Sequence, residues 1–484
     1  MARAAQTKPK ARPRAAASLR PPSIITAMDD AHLFGPFFKG DSWDGWRTVL
    51  KAAYGLPLSD QELTFFRSIA GDREPSPSRV RELWCVAGRR GGKDAIASLI
   101  AAFAAALFDQ QQRLRPGERA LVMCLACDRA QAKIVHGYIG AYFRDVPLLQ
   151  PLLTRETAEV FELSNGVDIA VATNSFRAVR GRPILLAIFD EVAFWRDENS
   201  AKPDEELYHA ITPALASLTP HSMIIGISSP YRKSGLLYKK YKQHFGKSDD
   251  VLVIQAPTRA LNPMIEQVEV DRALAEDPAR AQAEWMGEFR DDIGGWLPVD
   301  VIEGAVDAGV TARPPHPLIQ YRSFCDPSGA RGDSFTCAIA HDWDGVAVLD
   351  CLVEVKPPFN PMEAVAQIAK TLREYGLSET TGDRYAAEFN VAAFAANGIT
   401  YRNSNRDRSA IYQDVLPLFT SGRVRLIDNR KLVAQFTGLE RHTSSVGRDR
   451  IDHGPGGHDD LCNSAAGALM AASAAERRPR LLFG

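Results

Sequence analysis

The 484-residue chain lacks any apolar run approaching the roughly 18 residues that cross a bilayer, which argues against a membrane-spanning helix. Cysteine is sparse: seven residues, scattered and odd in number, do not form a disulfide framework and point to a reducing compartment. Cys124-x-x-Cys127 has no second cysteine pair at zinc-site spacing, so both read as strand-tip residues without metal or redox chemistry. The basic start has alanines and prolines where a signal peptide has its apolar segment, so no leader is expected. An excess of charge of one sign is also missing. A net charge of −1 excludes a uniformly basic surface but leaves room for a local Lys/Arg groove, because acids that hold metal ions offset it in the total. No internal repeat is visible.

What is present is 45% hydrophobic and 24% charged residues, the composition of a globular protein. The length is too great for one ordinary core and predicts two or three domains. Residues 1–22 carry six Lys/Arg and no acid and are expected to be a solvated tail, as are residues 476–484. Residues 23–290 contain short apolar runs at Leu83–Ala87, Ala120–Leu125, Val167–Ala172, Ile184–Phe189, Ser222–Ile227 and Val251–Ile254. These runs lack period-2 alternation and are separated by helix-length segments or turns, so they predict a mainly parallel α/β sheet covered on both faces. Prolines 298, 314, 315 and 317 and the Gly294-Gly295 pair predict a linker over 291–318. A second α/β unit is predicted over 319–475. Its strands Arg322–Cys325, Phe335–His341 and Val346–Val355 come first. A helix Met362–Tyr375, a strand near Thr380–Asp383, a helix Val391–Gly398 and a last helix Asp460–Ala475 follow. That order is the order of an RNase H-like domain.

The run Leu83–Ala87 leads into Gly88-Arg89-Arg90-Gly91-Gly92-Lys93-Asp94 and then a helix. Glycines let backbone N–H groups wrap phosphate oxygens, a helix start favours anions, and Lys93 can reach β- and γ-phosphates. Ala87 stands where the usual pattern has its first Gly, and Asp94 where it has Ser or Thr. Ile184–Phe189 ends in Asp190-Glu191, which places a candidate Mg²⁺ ligand beside a candidate base for water. Ser228-Ser229-Pro230 ends the next run and can sense a γ-phosphate. Arg90, Arg177 and Arg180 are candidates for an arginine finger.

In the second unit, Asp326 ends the first strand, Asp383 ends a later one, and Asp459-Asp460 open the last helix. In an RNase H-like sheet these positions converge, and carboxylates gathered there hold divalent ions. Asp326, Asp383 and Asp460 are the candidate catalytic acids and metal ligands, Asp459 is a supporting ligand, and Glu388 is the alternative second acid. Asp333 follows Asp326 in a Gly-flanked loop; His453 and His458 read as loop residues or phosphate contacts. Arg402, Arg406, Arg408, Arg448 and Arg450 can line a DNA groove.

The motifs resemble the large terminase family of tailed phages and related gene-transfer particles. The resemblance rests on AlaGlyArgArgGlyGlyLys (87–93), PheArgAlaValArgGlyArg (176–182), IlePheAspGlu (188–191), IleSerSerPro (227–230), AspProSerGly (326–329), GlyAspArgTyr (382–385) and GlyGlyHisAspAspLeuCysAsn (456–463), with the motor motifs before the nuclease motifs. It implies an ASCE-type P-loop ATPase fused to an RNase H-like endonuclease. On it Lys93 is the phosphate-loop lysine, Asp190 the Mg²⁺ ligand, Glu191 the catalytic glutamate and Ser228–Ser229 the coupling motif. Asp326, Asp383 and Asp460 are the nuclease triad. The implied cofactors are ATP and Mg²⁺, with Mn²⁺ as an alternative at the nuclease. The implied partners are double-stranded DNA, a small terminase subunit, the portal of a procapsid and further copies in a ring. The setting is the host cytoplasm, with docking on the procapsid and absence from the mature virion. Two rival readings are a helicase–nuclease or recombination ATPase, and a nucleotide-gated scaffold with dead centres.

Overall fold

The computed structural model describes residues 21–108, 114–127, 129–173, 181–328, 332–385, 387–443 and 449–474. Most of the two basic tails, together with Arg177, Arg180, Gly329 and Arg448, lies outside the described residues.

Eight strands build the first sheet: β1 (Glu82–Ala87), β2 (Ala120–Ala126), β3 (Leu153–Glu156), β4 (Val160–Leu163), β5 (Val167–Thr173), β6 (Ile184–Asp190), β7 (Met223–Ser228) and β8 (Val251–Ala256). Their order is β3-β4-β5-β2-β6-β7-β1-β8. The run from β5 to β8 is parallel, as the unbroken apolar strands predict, while β3 and β4 extend one edge antiparallel. One strand, β7, separates β1 from β6, the arrangement of ASCE-type P-loop domains. Successive side chains of β1 serve opposite layers. Leu83, Cys85 and Ala87 pack with the helix Lys93–Leu107, and Trp84 and Val86 with the helix Pro203–Leu215. Because β1 is central and buried on both faces, the loop that leaves its tip stands on a rigid base.

The second sheet uses β10 (Val306–Asp307), β11 (Tyr321–Asp326), β12 (Phe335–Trp343), β13 (Val346–Val355), β14 (Glu379–Gly382), β15 (Thr400–Asn403) and β16 (Val424–Ile427). In the order β10-β16-β13-β12-β11-β14-β15, β12 runs antiparallel to β11 and β13, whereas β14 and β15 run parallel to β11. This is the RNase H-like topology. The last helix, Asp460–Ser473, covers one face through Leu461, Ala465 and Leu469, and the helix Pro361–Glu374 covers the other through Val365, Ile368 and Leu372.

A third, small sheet joins β9 (Ile293–Gly295), β17 (Leu439–Thr443) and β18 (Asp449–His453) in the order β18-β17-β9. It changes the picture of residues 291–318, which the prolines and glycines predict as a linker. β9 pairs with β17, β10 pairs with β16, and Trp296, Leu297 and Ile302 are buried in the second domain's core. Trp296 stacks on Phe436 with ring centroids 5.6 Å apart. Apolar side chains between the breakers anchor the segment, and turn chemistry alone does not report that. No helix among the described residues is long and apolar enough to cross a membrane.

Candidate active sites

The loop after β1 is fastened by residues from well outside it. Trp46 Nε1 donates to Gly91 O at 2.6 Å, Thr258 Oγ1 to Arg89 O at 2.8 Å, and Asn262 Nδ2 to Arg90 O at 2.8 Å. Arg89 N donates to Glu284 O at 2.6 Å. The Arg89, Arg90 and Gly91 carbonyls are thereby satisfied. Gly92 takes φ +85°, and a Cβ there would lie 3.1 Å from Trp43, so glycine is needed for conformation and for space. Arg90 also has positive φ, +63°, which a non-glycine residue adopts only when its surroundings impose it.

Lys93 opens the helix and is 6% exposed. Its Nζ lies 2.8 Å from Glu191 Oε1 and 3.4 Å from Ser229 Oγ. Burial pulls the ammonium pKa down, but Glu191, with Asp94 and Asp190, more than offsets this and holds it above the usual lysine range. The other oxygen of Glu191 accepts from Ser228 Oγ at 3.1 Å and from Ser229 N at 3.2 Å. Glu191 itself sits at φ +49°, a strained position for a β-carbon residue. Lys93, Glu191 and the Ser228–Ser229 strand end therefore form one connected group.

Asp190 is 1% exposed; Gln131 Nε2 donates to its Oδ2 at 3.1 Å, and Oδ1 is buried without a partner. Burial first, then Asp94 and Glu191, pushes its carboxyl up to about 8. Asp94 is also raised by burial, with Glu191 adding and Lys93 opposing, and its Oδ1 is likewise buried and unpartnered. Two orphaned carboxylate oxygens that repel each other fit a divalent cation, since burying an unpaired carboxylate is otherwise costly. A cleft of about 900 Å³ opens beside this group, walled by Phe37, Trp43 and Tyr138 and by Arg90, Asp94 and Gln131. The fastening residues Trp46, Thr258, Asn262 and Gln131 are not evident from the loop motif. The aromatic-rich stretch 34–46 is the one sequence signal for the cleft wall.

In the second domain Asp326 and Asp383 stand together at the tips of β11 and β14. Asn463 Nδ2, from the last helix, donates to Asp383 Oδ2 at 2.8 Å. Asp326 Oδ2 is buried and unpartnered. Its pKa lies well above the carboxylate range, through burial and then Asp383, with Asn463 and Arg408 opposing. Asp383 is raised by burial, again against Asn463 and Arg408. Asp459 adds repulsion to both. It is 2% exposed, and accepts from Arg408 Nη1 at 2.7 Å and from Tyr412 Oη at 3.1 Å. Asp459 makes no side-chain cap for the last helix. Gln435 does that from outside, its Oε1 accepting from Leu461 N at 2.8 Å and Cys462 N at 3.1 Å.

Asp460 points to a neighbouring position. Its Oδ2 accepts from Ser334 N at 3.0 Å, and Asp333, His458 and Asp460 each offer a donor atom within 4.8 Å of the others, a set able to hold a metal ion. Burial raises the Asp460 carboxyl, with Asp333 and Asp459 adding to the rise. The two adjacent aspartates thus face different groups: Asp459 faces Asp326 and Asp383, and Asp460 faces Asp333 and His458. His458, read from sequence as a loop residue or phosphate contact, belongs to this second group. Glu388 is exposed on the helix Ala387–Ala396, and His453 Nδ1 sits 3.0 Å from Gly454 O. Arg402 and Arg406 pair with Glu379 and Asp414, and Arg450 with Asp452.

The two domains meet in a buried ion cluster. Directly after Ser228-Ser229-Pro230, Tyr231 Oη donates to Glu440 Oε2 at 2.7 Å, and Arg232 lies 3.4 Å from Oε1. Arg196, just past Asp190-Glu191, reaches the same Oε1 at 2.9 Å. Glu440 is fully buried on β17, and β17 and β18 lead into the loop that ends at Asp459.

A P-loop domain followed by an RNase H-like domain is the class that this fold defines. The family model described as "Uncharacterized protein MJ0330, N-terminal P-loop domain" matches residues 69–286. No curated protein matches the sequence. Among solved structures, the HK97 bacteriophage large terminase is 16% identical, over 88% of this chain and 99% of its own, with a TM-score of 0.38. A large terminase from a thermophilic bacteriophage, solved in complex with ADP, is 14% identical, over 90% and 99%, at 0.34. The large terminase nuclease of the thermophilic phage G20c with bound magnesium is 18% identical, over 35% and 95%, at 0.30. The likeness is one of fold.

Proposed function

We propose that this chain is the large subunit of a viral DNA-packaging terminase, hydrolysing ATP to drive duplex DNA into a procapsid and cutting concatemeric DNA with a metal-dependent nuclease. The observation that carries the reading is the pair of sites with orphaned buried carboxylate oxygens, Asp94 Oδ1 and Asp190 Oδ1 in one domain and Asp326 Oδ2 in the other. Divalent ions bound there, Mg²⁺ or at the nuclease also Mn²⁺, would supply charge neutralisation at phosphate oxygens and a water of lowered pKa. The rest belongs to the chain. Loop N–H groups and Lys93 hold the β- and γ-phosphates, and the aromatic wall of the cleft offers faces for the base. To meet the γ-phosphate, Lys93 gives up its 2.8 Å contact with Glu191, which frees that carboxylate to take a proton from the attacking water. Ser228 and Ser229, bonded to the same carboxylate, register the change and lead through Pro230 to the Glu440 contact.

In the second domain Asp333, His458 and Asp460 would hold one cation, and Asp326 and Asp383, beside Asp459, would hold another. Phosphate contacts carry no base information, so cutting by this domain is expected to have little sequence preference. The working partners are double-stranded DNA, a small terminase subunit, the portal and further copies in a ring. The setting is the host cytoplasm, with docking on the procapsid and absence from the finished virion.

The test is to measure ATP turnover and cleavage of supercoiled plasmid on one preparation. Lys93→Ala should abolish turnover and leave cleavage. The double replacement Asp326→Ala/Asp383→Ala should lower cleavage by several orders of magnitude and leave turnover, each ~1.4 kcal/mol of lost transition-state stabilisation being tenfold. Plasmid cleavage at the native rate by the double variant would sink the nuclease assignment. ATP-dependent unwinding of a forked duplex would favour a helicase–nuclease instead.

A further inference from the structure

The nuclease cleft carries a cation of its own. Arg408 is the first residue of the helix Arg408–Thr420, whose start is fixed by Asp407 accepting from Ala410 N at 2.8 Å. Its guanidinium donates to Asp459 at 2.7 Å, and the other Asp459 oxygen is held by Tyr412, one turn further along the same helix. Tyr412 is fully buried and Asp459 nearly so, whereas the Arg408 side chain is 38% exposed. The carboxylate is therefore fixed and the arginine has a way out to solvent. Asp326, Asp383 and Asp459 all act on Arg408 to hold its charge. Arginine cannot shed that charge by losing a proton, so when further positive charge enters the cluster it must move. A planar guanidinium so released matches a phosphate with paired N–H groups.

We propose that Arg408 is a built-in counter-ion of the nuclease cleft: it pairs with Asp459 beside Asp326 and Asp383 until divalent cations displace it, and it then turns to a phosphate of the DNA. This rests on reading the cleft as a metal-dependent phosphodiesterase. In the metal-free state the arginine compensates buried like charges, and in the loaded state it is a positioning residue for the substrate backbone.

The proposal separates a counter-ion from a merely structural arginine by the sign of one measurement. Mn²⁺ binding to the full chain without DNA is titrated for wild type, Arg408→Ala and Arg408→Lys at pH 8. A charge-assisted hydrogen bond of usual strength corresponds to roughly tenfold or more in affinity. Because Arg408 is partly exposed, its removal should tighten Mn²⁺ binding by at least about threefold. The thermal midpoint of Arg408→Ala should fall without metal, and the gap to wild type should close at saturating Mn²⁺. Arg408→Lys, which keeps the charge, should return metal-free stability and Mn²⁺ affinity towards wild type. At saturating Mn²⁺, Arg408→Ala should need more plasmid for half-maximal cleavage. Unchanged or weaker Mn²⁺ binding by folded Arg408→Ala overturns the counter-ion role. Should that variant fail to fold even with Mn²⁺, Arg408→Lys binding Mn²⁺ more weakly than wild type overturns it as well. Unaltered plasmid dependence overturns the phosphate role. If instead Asp326→Ala/Asp383→Ala binds Mn²⁺ as wild type does, the underlying reading of the cleft fails, whatever Arg408 does.

Discussion

Glu440→Ala takes away the carboxylate on which Arg196, Arg232 and Tyr231 converge. Glu440 is 0% exposed, and the side chains of Arg196 and Arg232 are 24% and 16% exposed. Burial, followed by Arg196, already pulls the Arg232 pKa below its usual value, and Glu440 opposes that pull. Without the carboxylate, the two largely buried guanidiniums lose the ion-pair partner they share, and Arg232 keeps only the weaker pull of Tyr231 and Asp204. Breaking a buried ion pair by deleting one partner typically costs about 3–5 kcal/mol, because the remaining charge is left uncompensated. Both arginines keep a path to water, so the lower part of that range, ~3 kcal/mol, is expected for Glu440→Ala. Glu440→Gln keeps an acceptor for Tyr231 Oη, which sits 2.7 Å away, and should lose less, about 2 kcal/mol. The measurement is guanidinium and urea denaturation followed by fluorescence, with the first transition analysed, since two domains need not unfold as one. The urea loss should change little between 0.1 and 0.5 M salt, because a buried cluster is poorly screened. A change under ~1 kcal/mol for Glu440→Ala, or a loss that salt removes, would show that the cluster is solvated and does not lock the domains.

Three further outcomes are expected. Glu191→Gln should retain Mg²⁺-dependent binding of a non-hydrolysable ATP analogue while turnover falls by roughly 10²–10⁴-fold, the usual worth of a general base; near-normal turnover would remove Glu191 from that role. Asp190, pushed up to about 8 against ~4 in the unfolded chain, binds a proton in the metal-free fold that the unfolded chain lacks over that window, so metal-free stability should fall as pH rises from about 4 to 8. The same proton competes with Mg²⁺, so Mg²⁺-dependent nucleotide binding should tighten from pH 6 to 8 and then level off, and a flat profile in a calorimetric titration would contradict the buried Asp94–Asp190 pair. Trp46→Phe, which removes the 2.6 Å bond to Gly91 O and leaves a small void in the core, should weaken analogue binding about fivefold and also lower global stability measurably. Unaltered analogue affinity in that variant would show that the loop needs no such fastening.

Much of the fold is written locally. A run such as Val346–Val355 is apolar over a strand length and bounded by turns, so its extent as β13 follows from neighbours a few residues away. The same short-range logic places Lys93 at a helix start, Asp190-Glu191 at the end of β6, and Asp326 at the end of β11. The alternation of strands and helices is enough for two α/β domains in the observed order.

Tertiary structure decided what depends on a covering partner. The short strands β3, β4 and β15 to β18 carry weak patterns, and they exist because an adjacent edge supplies their hydrogen bonds. Residues 291–318 contain every breaker of a linker, yet Trp296 finds Phe436 and β9 finds β17. Asp459 and Asp460 are adjacent and chemically identical. Their separation, one towards Arg408 and Tyr412 and the other towards Asp333 and Ser334, comes from the non-helical backbone of Asp459 just before the helix begins and from which elements meet it. Glu440 has no motif around it. Its importance arises only because residues some two hundred positions earlier bring two arginines and a tyrosine to one buried carboxylate, and contacts of that range leave no periodic trace in the chain.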